Sequence, residues 1–213
     1  MNLTPQHWTR AEESKEKMQL VPLPNGAEKE QVLMNVKRTQ DIEKDIKVVK
    51  VERIENLPMW QTYVIKRQTM ASRESEGKDG AASPRDQSER KLYHGTGKET
   101  VFKICQQGFN RSFAGTNVGM KYGQGCYFAR DAAYSVNYSR NGAKEGDLMY
   151  LLQVRVAVGT FTAGTRDMIQ PPPRNENRLF DSTVDKVVNP SIFVTYHDAQ
   201  AYPEYLITFK EGK

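Results

Sequence analysis

The sequence predicts an α+β fold with a mostly antiparallel sheet. Short runs rich in β-branched and aromatic residues are dispersed from Ile46 to Phe209, and few helix-period stretches lie between them. A length of 213 residues, 38% hydrophobic and 27% charged, is enough for one domain with a real core and too little for two comfortable ones. The whole of 1–213 therefore reads as one domain, with 1–56 as an N-terminal flank and 72–90 as a mobile polar loop.

Taken in order, Arg10 to Lys17 is charged and helix-compatible, and Gln19 to Pro24 is extended. Trp8, conspicuous in so polar a stretch, is expected to anchor that segment onto the main body. Val32, Leu33 and Val36 are spaced for an amphipathic helix over Ala27–Val36. Ile46 to Ile54 largely alternates apolar with charged residues, which predicts a half-buried strand. Asn56 can cap a helix with Pro58 in its first turn, and Trp60, Tyr63 and Val64 continue one face to about Met70. Ser72 to Arg90 has hardly an apolar residue to offset the entropy of ordering it. After a short strand at Leu92–Thr96, Thr100–Gln107 reads as a helix closed by Gly108 as C-cap. Gly115–Gly119 is expected to border a pocket, Asn141–Asp147 to turn, and Leu148–Val158 to form a central strand. Pro171 to Pro173 marks a surface connection, and Ile192–Tyr196 and Tyr205–Phe209 are the last two strands.

Composition excludes several classes. The net charge of +5 comes from 31 basic and 26 acidic residues that are scattered, so clustered nucleic-acid readout is disfavoured. No run approaches the roughly 20 apolar residues of a membrane span, and Met1 to Thr4 lacks the start of a signal peptide. Two cysteines are too few for a disulfide scaffold or structural zinc site, which favours a reducing, cytoplasmic or nuclear setting. His7, His94 and His197 have no ligand partners at metal spacing, so no metal is expected. Cys126 is either a reactive thiol near a pocket or a small buried side chain.

The most informative stretch is Tyr122 to Tyr138, YGQGCYFARDAAYSVNY. Gly123 and Gly125 loosen a loop that leads into the apolar run Cys126–Ala129. Asp131 stands where an N-cap would, and Ala132–Tyr138 can make about two helical turns. There Tyr134 and Tyr138 share a face, with Ser135 beside them on nearly the same face. Such a unit can build a pocket for a flat, polar aromatic ring; taken alone, it also suits a strand–turn–helix that packs its tyrosines into a core. About thirty residues earlier stands Leu92-Tyr93-His94-Gly95-Thr96. A glycine after a strand histidine lets backbone groups approach a ligand, while the imidazole can bond a sugar hydroxyl; a buried structural histidine is the alternative.

With these stretches in order, and with GFNRSFAG and NPSIFVTYHDAQAYPEYLITF around them, the chain resembles the catalytic domain of the poly(ADP-ribose) polymerase family over roughly Leu57 to Lys210. Within that family of diphtheria-toxin-like ADP-ribosyltransferases it is similar to mono-ADP-ribosyltransferases whose full-length forms carry macrodomains. The resemblance implies a split, two-sheet core with short flanking helices and NAD as co-substrate. It also implies that Gly95 grips the nicotinamide carboxamide with Ser135 as third contact, that Tyr138 stacks on the ring, and that Tyr127 walls the other side. His94 and Thr96 would meet the adenosine ribose, Arg111 a phosphate or adenine, and Ala129 would complete the NAD-binding set. Each also has a plainer reading: core residues for Tyr127 and Tyr138, a surface serine for Ser135, a salt-bridge partner for Arg111. Nothing before the core resembles the long helical regulatory subdomain of some members.

One departure matters. The family's His-Tyr-Glu triad maps onto His94, Tyr127 and Ile192, and isoleucine can neither orient a ribose hydroxyl nor accept a proton. Chain elongation needs that glutamate; a first transfer onto an already ionised carboxylate needs little deprotonation. The expectation is a protein mono-ADP-ribosyltransferase, acting on Glu or Asp of protein acceptors including itself, and inhibited by nicotinamide mimics. A weak or inactive module that binds NAD or ADP-ribose is the alternative.

Overall fold

A computed structural model describes residues 4–9, 18–39, 46–75, 88–113, 120–140 and 142–212. The chain opens with strand β1 (Met18–Pro22), helix α1 (Ala27–Arg38), strand β2 (Ile46–Asn56) and helix α2 (Leu57–Ser75). Strand β3 (Glu89–Thr96), helix α3 (Lys98–Gln107), strand β4 (Cys126–Ala129) and helix α4 (Ala132–Ser139) follow. The remainder is strand: β5 (Met149–Ala157), β6 (Phe161–Ala163), β7 (Pro173–Asn175), β8 (Arg178–Leu179), β9 (Ser182–Val184), β10 (Ile192–Thr195) and β11 (Ala201–Glu211).

The main sheet has nine strands in the order β1-β2-β11-β5-β3-β4-β10-β9-β6, antiparallel except for β6 with β9. The predicted split is visible in its middle. Among the described residues, β3 and β4 share a single backbone pair, Tyr93 with Ala129, while β3 pairs with β5 along eight residues, from Glu89 to Thr96. Two sub-sheets therefore diverge beyond that pair, and the edge of β3 at His94–Thr96 has no β4 partner. A small β7–β8 hairpin lies apart.

Both faces of the central strands are covered. Tyr150, Leu152, Val154 and Val156 of β5 pack with Leu92, Leu206 and Val101, Ile104 and Cys105 of α3. On the other face, Met149 and Leu151 pack with Val32 and Val36 of α1 and with Ala132 and Val136 of α4. Double-sided burial is why Leu148–Val158 reads as a mostly apolar run, interrupted only by Gln153 and Arg155, although Leu148 itself is exposed. Trp8 anchors its segment as expected, buried against Tyr202 at 6.1 Å and Trp60 at 5.9 Å between ring centroids.

Asn56 caps α2, accepting from the Met59 N–H at 3.3 Å, while its amide donates to the carbonyls of Cys105 and Gln106 at the end of α3. Gly108 closes α3 at φ +82°, its N–H donating to Ile104. Several expectations need correction. The second half of β2 is buried on both sides, charges included: Arg53 pairs with Glu28 at 2.7 Å and Glu55 at 2.8 Å. Ion pairing makes that burial tolerable and hides it from a hydropathy pattern. The loop expected over 72–90 is shorter, since α2 runs to Ser75 and β3 begins at Glu89; residues 76–87 lie outside the described residues, as do Gly115–Gly119 and Arg10–Lys17. The proline-rich connection also contains the β7–β8 hairpin, and β6 and β9 were not foreseen.

Candidate active site

The site forms where the two sub-sheets part and α4 lies across the opening. Local sequence sets the path of α4. Asp131 occupies the N-cap position, but its carboxylate makes no cap bond and instead pairs with Arg130 at 2.9 Å. The Thr39 hydroxyl, at the end of α1, accepts from the Ala132 N–H at 3.0 Å, and the Thr39 carbonyl accepts from Ala133 at 3.3 Å. The helix start is thus capped across the fold rather than by its own neighbour.

Gly95 is the point of closest approach. A side-chain carbon there would come within 1.8 Å of the Ser135 carbonyl oxygen and 2.7 Å of Ser139 Oγ. Only glycine lets α4 rest directly on β3. Ser139 holds that contact by donating to the Tyr150 carbonyl. Ser135 is only 3% exposed. Its side chain faces inward and not outward with the tyrosines, because one residue along a helix rotates the side chain by about 100°.

Tyr134 and Tyr138 are 44% and 45% exposed, with ring centroids 5.4 Å apart and hydroxyls at 2.9 Å. They form a presented aromatic pair rather than core. Across from them, Tyr127 of β4 is half-buried. Its hydroxyl donates to the Gly123 carbonyl at 2.8 Å and accepts from the Tyr122 N–H at 3.0 Å, so its one proton is committed to the loop. Burial is the main cause of the raised pKa of Tyr127; the Tyr122 N–H opposes it, and the hydroxyls of Tyr196, Tyr122 and Tyr138 add to it.

His94 Nδ1 lies 2.9 Å from the Tyr127 carbonyl oxygen. A carbonyl only accepts, so Nδ1 carries the proton and Nε2 is left as an acceptor. Phe109 meets the imidazole edge-on at 5.2 Å, and Phe128 lies at 5.9 Å. Burial lowers the imidazole pKa against the raising effect of the Tyr127 bond, which keeps the ring neutral near pH 7. Thr96 ends β3 opposite Tyr150, and Ala129 sits at the junction, paired with both Tyr93 and Ile192.

Ile192 is 5% exposed, in a cluster with Ala129, Val194 and Tyr196 against which Tyr122 and Tyr127 pack. Arg111 is held at the far end of β10, its guanidinium donating to the Tyr196 carbonyl at 3.0 Å and its N–H to Asp198 at 3.1 Å. Burial pushes the Cys126 thiol up to about 12, which favours the small-buried-side-chain reading over a reactive thiolate. Sequence reasoning missed Phe109, Ser139, Thr183 and Tyr196; only Phe109, apolar directly after a helix-closing glycine, carried a local signal.

Comparison with known proteins places the chain among relatives. The family model "Poly(ADP-ribose) polymerase catalytic domain" matches residues 27–177. Human protein mono-ADP-ribosyltransferase PARP14 is 42% identical over 170 residues, covering 78% of this chain and 9% of that protein. Human PARP12 is 40% identical over 76% of this chain and 22% of the relative. Human PARP11 is 31% identical over 96% of this chain and 63% of the relative. The chain thus spans less than two thirds of the length of each.

Proposed function

The chain belongs to the poly(ADP-ribose) polymerase catalytic-domain family, and from that membership we propose that it transfers single ADP-ribose units from NAD to carboxylate side chains of proteins, itself among them. The observation that carries the single-unit reading is Ile192, buried among Ala129, Val194 and Tyr196 where the family's polymerising members use a glutamate.

The residues fit NAD. The β3 edge beyond Tyr93 has no β4 partner among the described residues, and the space over Gly95 is too tight for any side chain. We assign the Gly95 N–H and C=O, with the inward-facing Ser135 hydroxyl, to the nicotinamide carboxamide. The exposed ring of Tyr138 covers one face of the nicotinamide, where an offset stack contributes roughly 0.5–1.5 kcal/mol beyond burial. Tyr127 closes the other side. His94 Nε2, aproton acceptor by the tautomer its partner imposes, takes a hydrogen bond from a ribose hydroxyl.

NAD supplies the chemistry: its glycosidic C–N bond breaks with the electron pair leaving on neutral nicotinamide, and an acceptor carboxylate oxygen supplies the pair for the new C–O bond, with no proton transferred. The chain's own residues have two tasks, holding the donor in a reactive pose and aligning the acceptor. A neutral His94 suits both, since it orients a hydroxyl without placing a cation beside a ribose that gains positive character. Ile192 offers no acceptor for the hydroxyl of an incoming ribose, so a second unit is not activated, whereas a carboxylate needs no activation.

The test is incubation of the purified chain with labelled NAD, followed by a denaturing gel and mass spectrometry. Sharp bands and single ADP-ribose adducts on Glu or Asp are expected, with nicotinamide released in proportion. A polydisperse smear would overturn the single-unit reading. NAD binding without nicotinamide release would point to a non-catalytic binding module instead.

A further inference from the structure

We propose that Thr183, remote in sequence from His94, Gly95, Tyr127, Ser135 and Tyr138, is a positioning residue that fixes the Tyr127 side of the pocket. The proposal rests on the reading of that pocket as an NAD site. Thr183 of β9 is paired with Val194 of β10, and Val194 with Tyr127 of β4. Thr183 and Tyr127 therefore flank Val194 in one row across three strands, on the same face of the sheet.

From that row both hydroxyls reach one turn. Thr183 Oγ1 donates to the Tyr122 carbonyl at 2.6 Å. Its single proton is then spent, so at 2.8 Å from the Tyr196 hydroxyl it accepts and Tyr196 donates. Tyr127 takes the neighbouring groups, the Tyr122 N–H at 3.0 Å and the Gly123 carbonyl at 2.8 Å. Three consecutive peptide units are thus held by Thr183 and Tyr127, and Tyr196 seats the Thr183 hydroxyl.

The turn is closely packed against its neighbours. Gly123 has φ +129°, and a side-chain carbon on it would come within 1.8 Å of the Tyr196 hydroxyl. One on Gly164 would come within 1.9 Å of the Tyr122 carbonyl oxygen. Thr183 itself is fully buried, so loss of its hydroxyl leaves the Tyr122 carbonyl and the Tyr196 hydroxyl with only the longer bond between them, at 3.4 Å, and little water to replace the two shorter ones. The turn would then move, and with it the hydroxyl and ring of Tyr127.

The experiment compares the full chain with Thr183→Val, which keeps shape and removes the hydroxyl, and with Thr183→Ser, which keeps the hydroxyl. Amide hydrogen exchange at residues 122–125 is read without ligand, benzamide affinity by calorimetry, and NAD turnover as KM and kcat. In Thr183→Val we expect exchange at these amides and the benzamide Kd each to rise about tenfold, and KM for NAD to rise similarly with kcat changed less than about threefold. Thr183→Ser should restore all of them. Should Thr183→Val fail to fold, Tyr196→Phe removes the donor that seats the same hydroxyl and should raise exchange and Kd in the same direction by a smaller factor.

Unchanged exchange and affinity in a folded Thr183→Val chain would overturn the positioning role alone, as would a Thr183→Ser chain equally impaired, which would show that packing and not the hydroxyl matters. A wild-type chain that binds neither benzamide nor NAD would overturn the functional reading and the positioning role together.

Discussion

His94 Nδ1 lies 2.9 Å from the carbonyl oxygen of Tyr127, so a side chain bridges the two sub-sheets beside their single backbone pair, Tyr93 with Ala129. The bridge needs only the Nδ1 proton, and burial lowers the imidazole pKa below its ordinary 6.5. Between that lowered value and 6.5 the unfolded chain binds more protons than the folded one. Stability therefore rises with pH through this window, is complete above it, and is lost as pH falls through the folded value. His197 is also lowered, chiefly by burial and then by Lys66, and acts with the same sign. Thermal melts from about pH 7 to about pH 5 should show a falling Tm in the wild type and a shallower fall in His94→Gln. Equal slopes would mean that His94 titrates as it does in the unfolded chain.

Gly95→Ala tests the contact between β3 and α4. The added methyl would lie 1.8 Å from backbone, the Ser135 carbonyl, which cannot swing aside as a side chain tip can. We expect α4 to be displaced, benzamide binding to fall at least about a hundredfold, and Tm to drop. Affinity within about threefold of wild type would show that α4 does not frame the ligand site.

Tyr138 should act through its ring. Tyr138→Ala is expected to weaken benzamide by several-fold or more, as the stacking contribution of roughly 0.5–1.5 kcal/mol is lost together with buried area. Tyr138→Phe removes only the bond to the Tyr134 hydroxyl at 2.9 Å and should stay close to wild type. Calorimetry distinguishes the two; an impaired Phe variant would show that the hydroxyl pair, not the ring surface, holds the ligand.

What the sequence revealed and what it hid divide on physical grounds. Helices were legible where their own residues close them, as at Asn56 and Gly108, and β5 was legible because burial on both faces leaves a run that is apolar except at Gln153 and Arg155. His94, Gly95, Tyr127 and Ser135 stood out because glycines and a short helix frame them locally. Their surroundings did not, since partners come from far along the chain: Thr39 caps α4 from 93 residues away, and Thr183 reaches Tyr122 across 61. The charged half of β2 misled for a related reason. Alternation suggested a solvated face, while the carboxylates that make burial tolerable include Glu28, outside the strand.

That buried pairing makes Arg53 a sensitive charge in the fold. It donates to Glu55 and to both oxygens of Glu28, and Tyr205 also donates to Glu28 at 2.9 Å. Arg53→Ala leaves the buried Glu55 carboxylate without its cation, with the Thr9 N–H at 2.9 Å still bonded to it, at a cost of roughly 3–5 kcal/mol. Denaturant unfolding should show that loss, whereas Arg53→Met with Glu55→Gln should recover part of it. A loss below about 1 kcal/mol would mean that water reaches the carboxylate.

Ile192→Glu asks whether one side chain sets product length. If the missing glutamate alone prevented elongation, this variant would build polymer. We expect that it will not. The isoleucine side chain is packed among Ala129, Val194 and Tyr196, with Tyr122 and Tyr127 against it. A carboxylate there loses water without gaining a partner in place, so it either costs several kcal/mol or takes up a proton. Asp185 makes this worse: its Oδ1 accepts from the N–H groups of Ser191 and Ile192 at 2.9 and 3.1 Å, which puts a second carboxylate beside the backbone of position 192. Like charges so close push the new pKa further up, and a protonated glutamic acid cannot serve as the base for an incoming ribose hydroxyl. Elongation also needs a surface that holds the growing chain, which a change at one buried position does not create. Gels of the variant with labelled NAD should show sharp single-unit bands at reduced intensity, and melts should show a lower Tm. A ladder of polymer would overturn this, and would mean that the carboxylate escapes its apolar neighbours and stays ionised in the site.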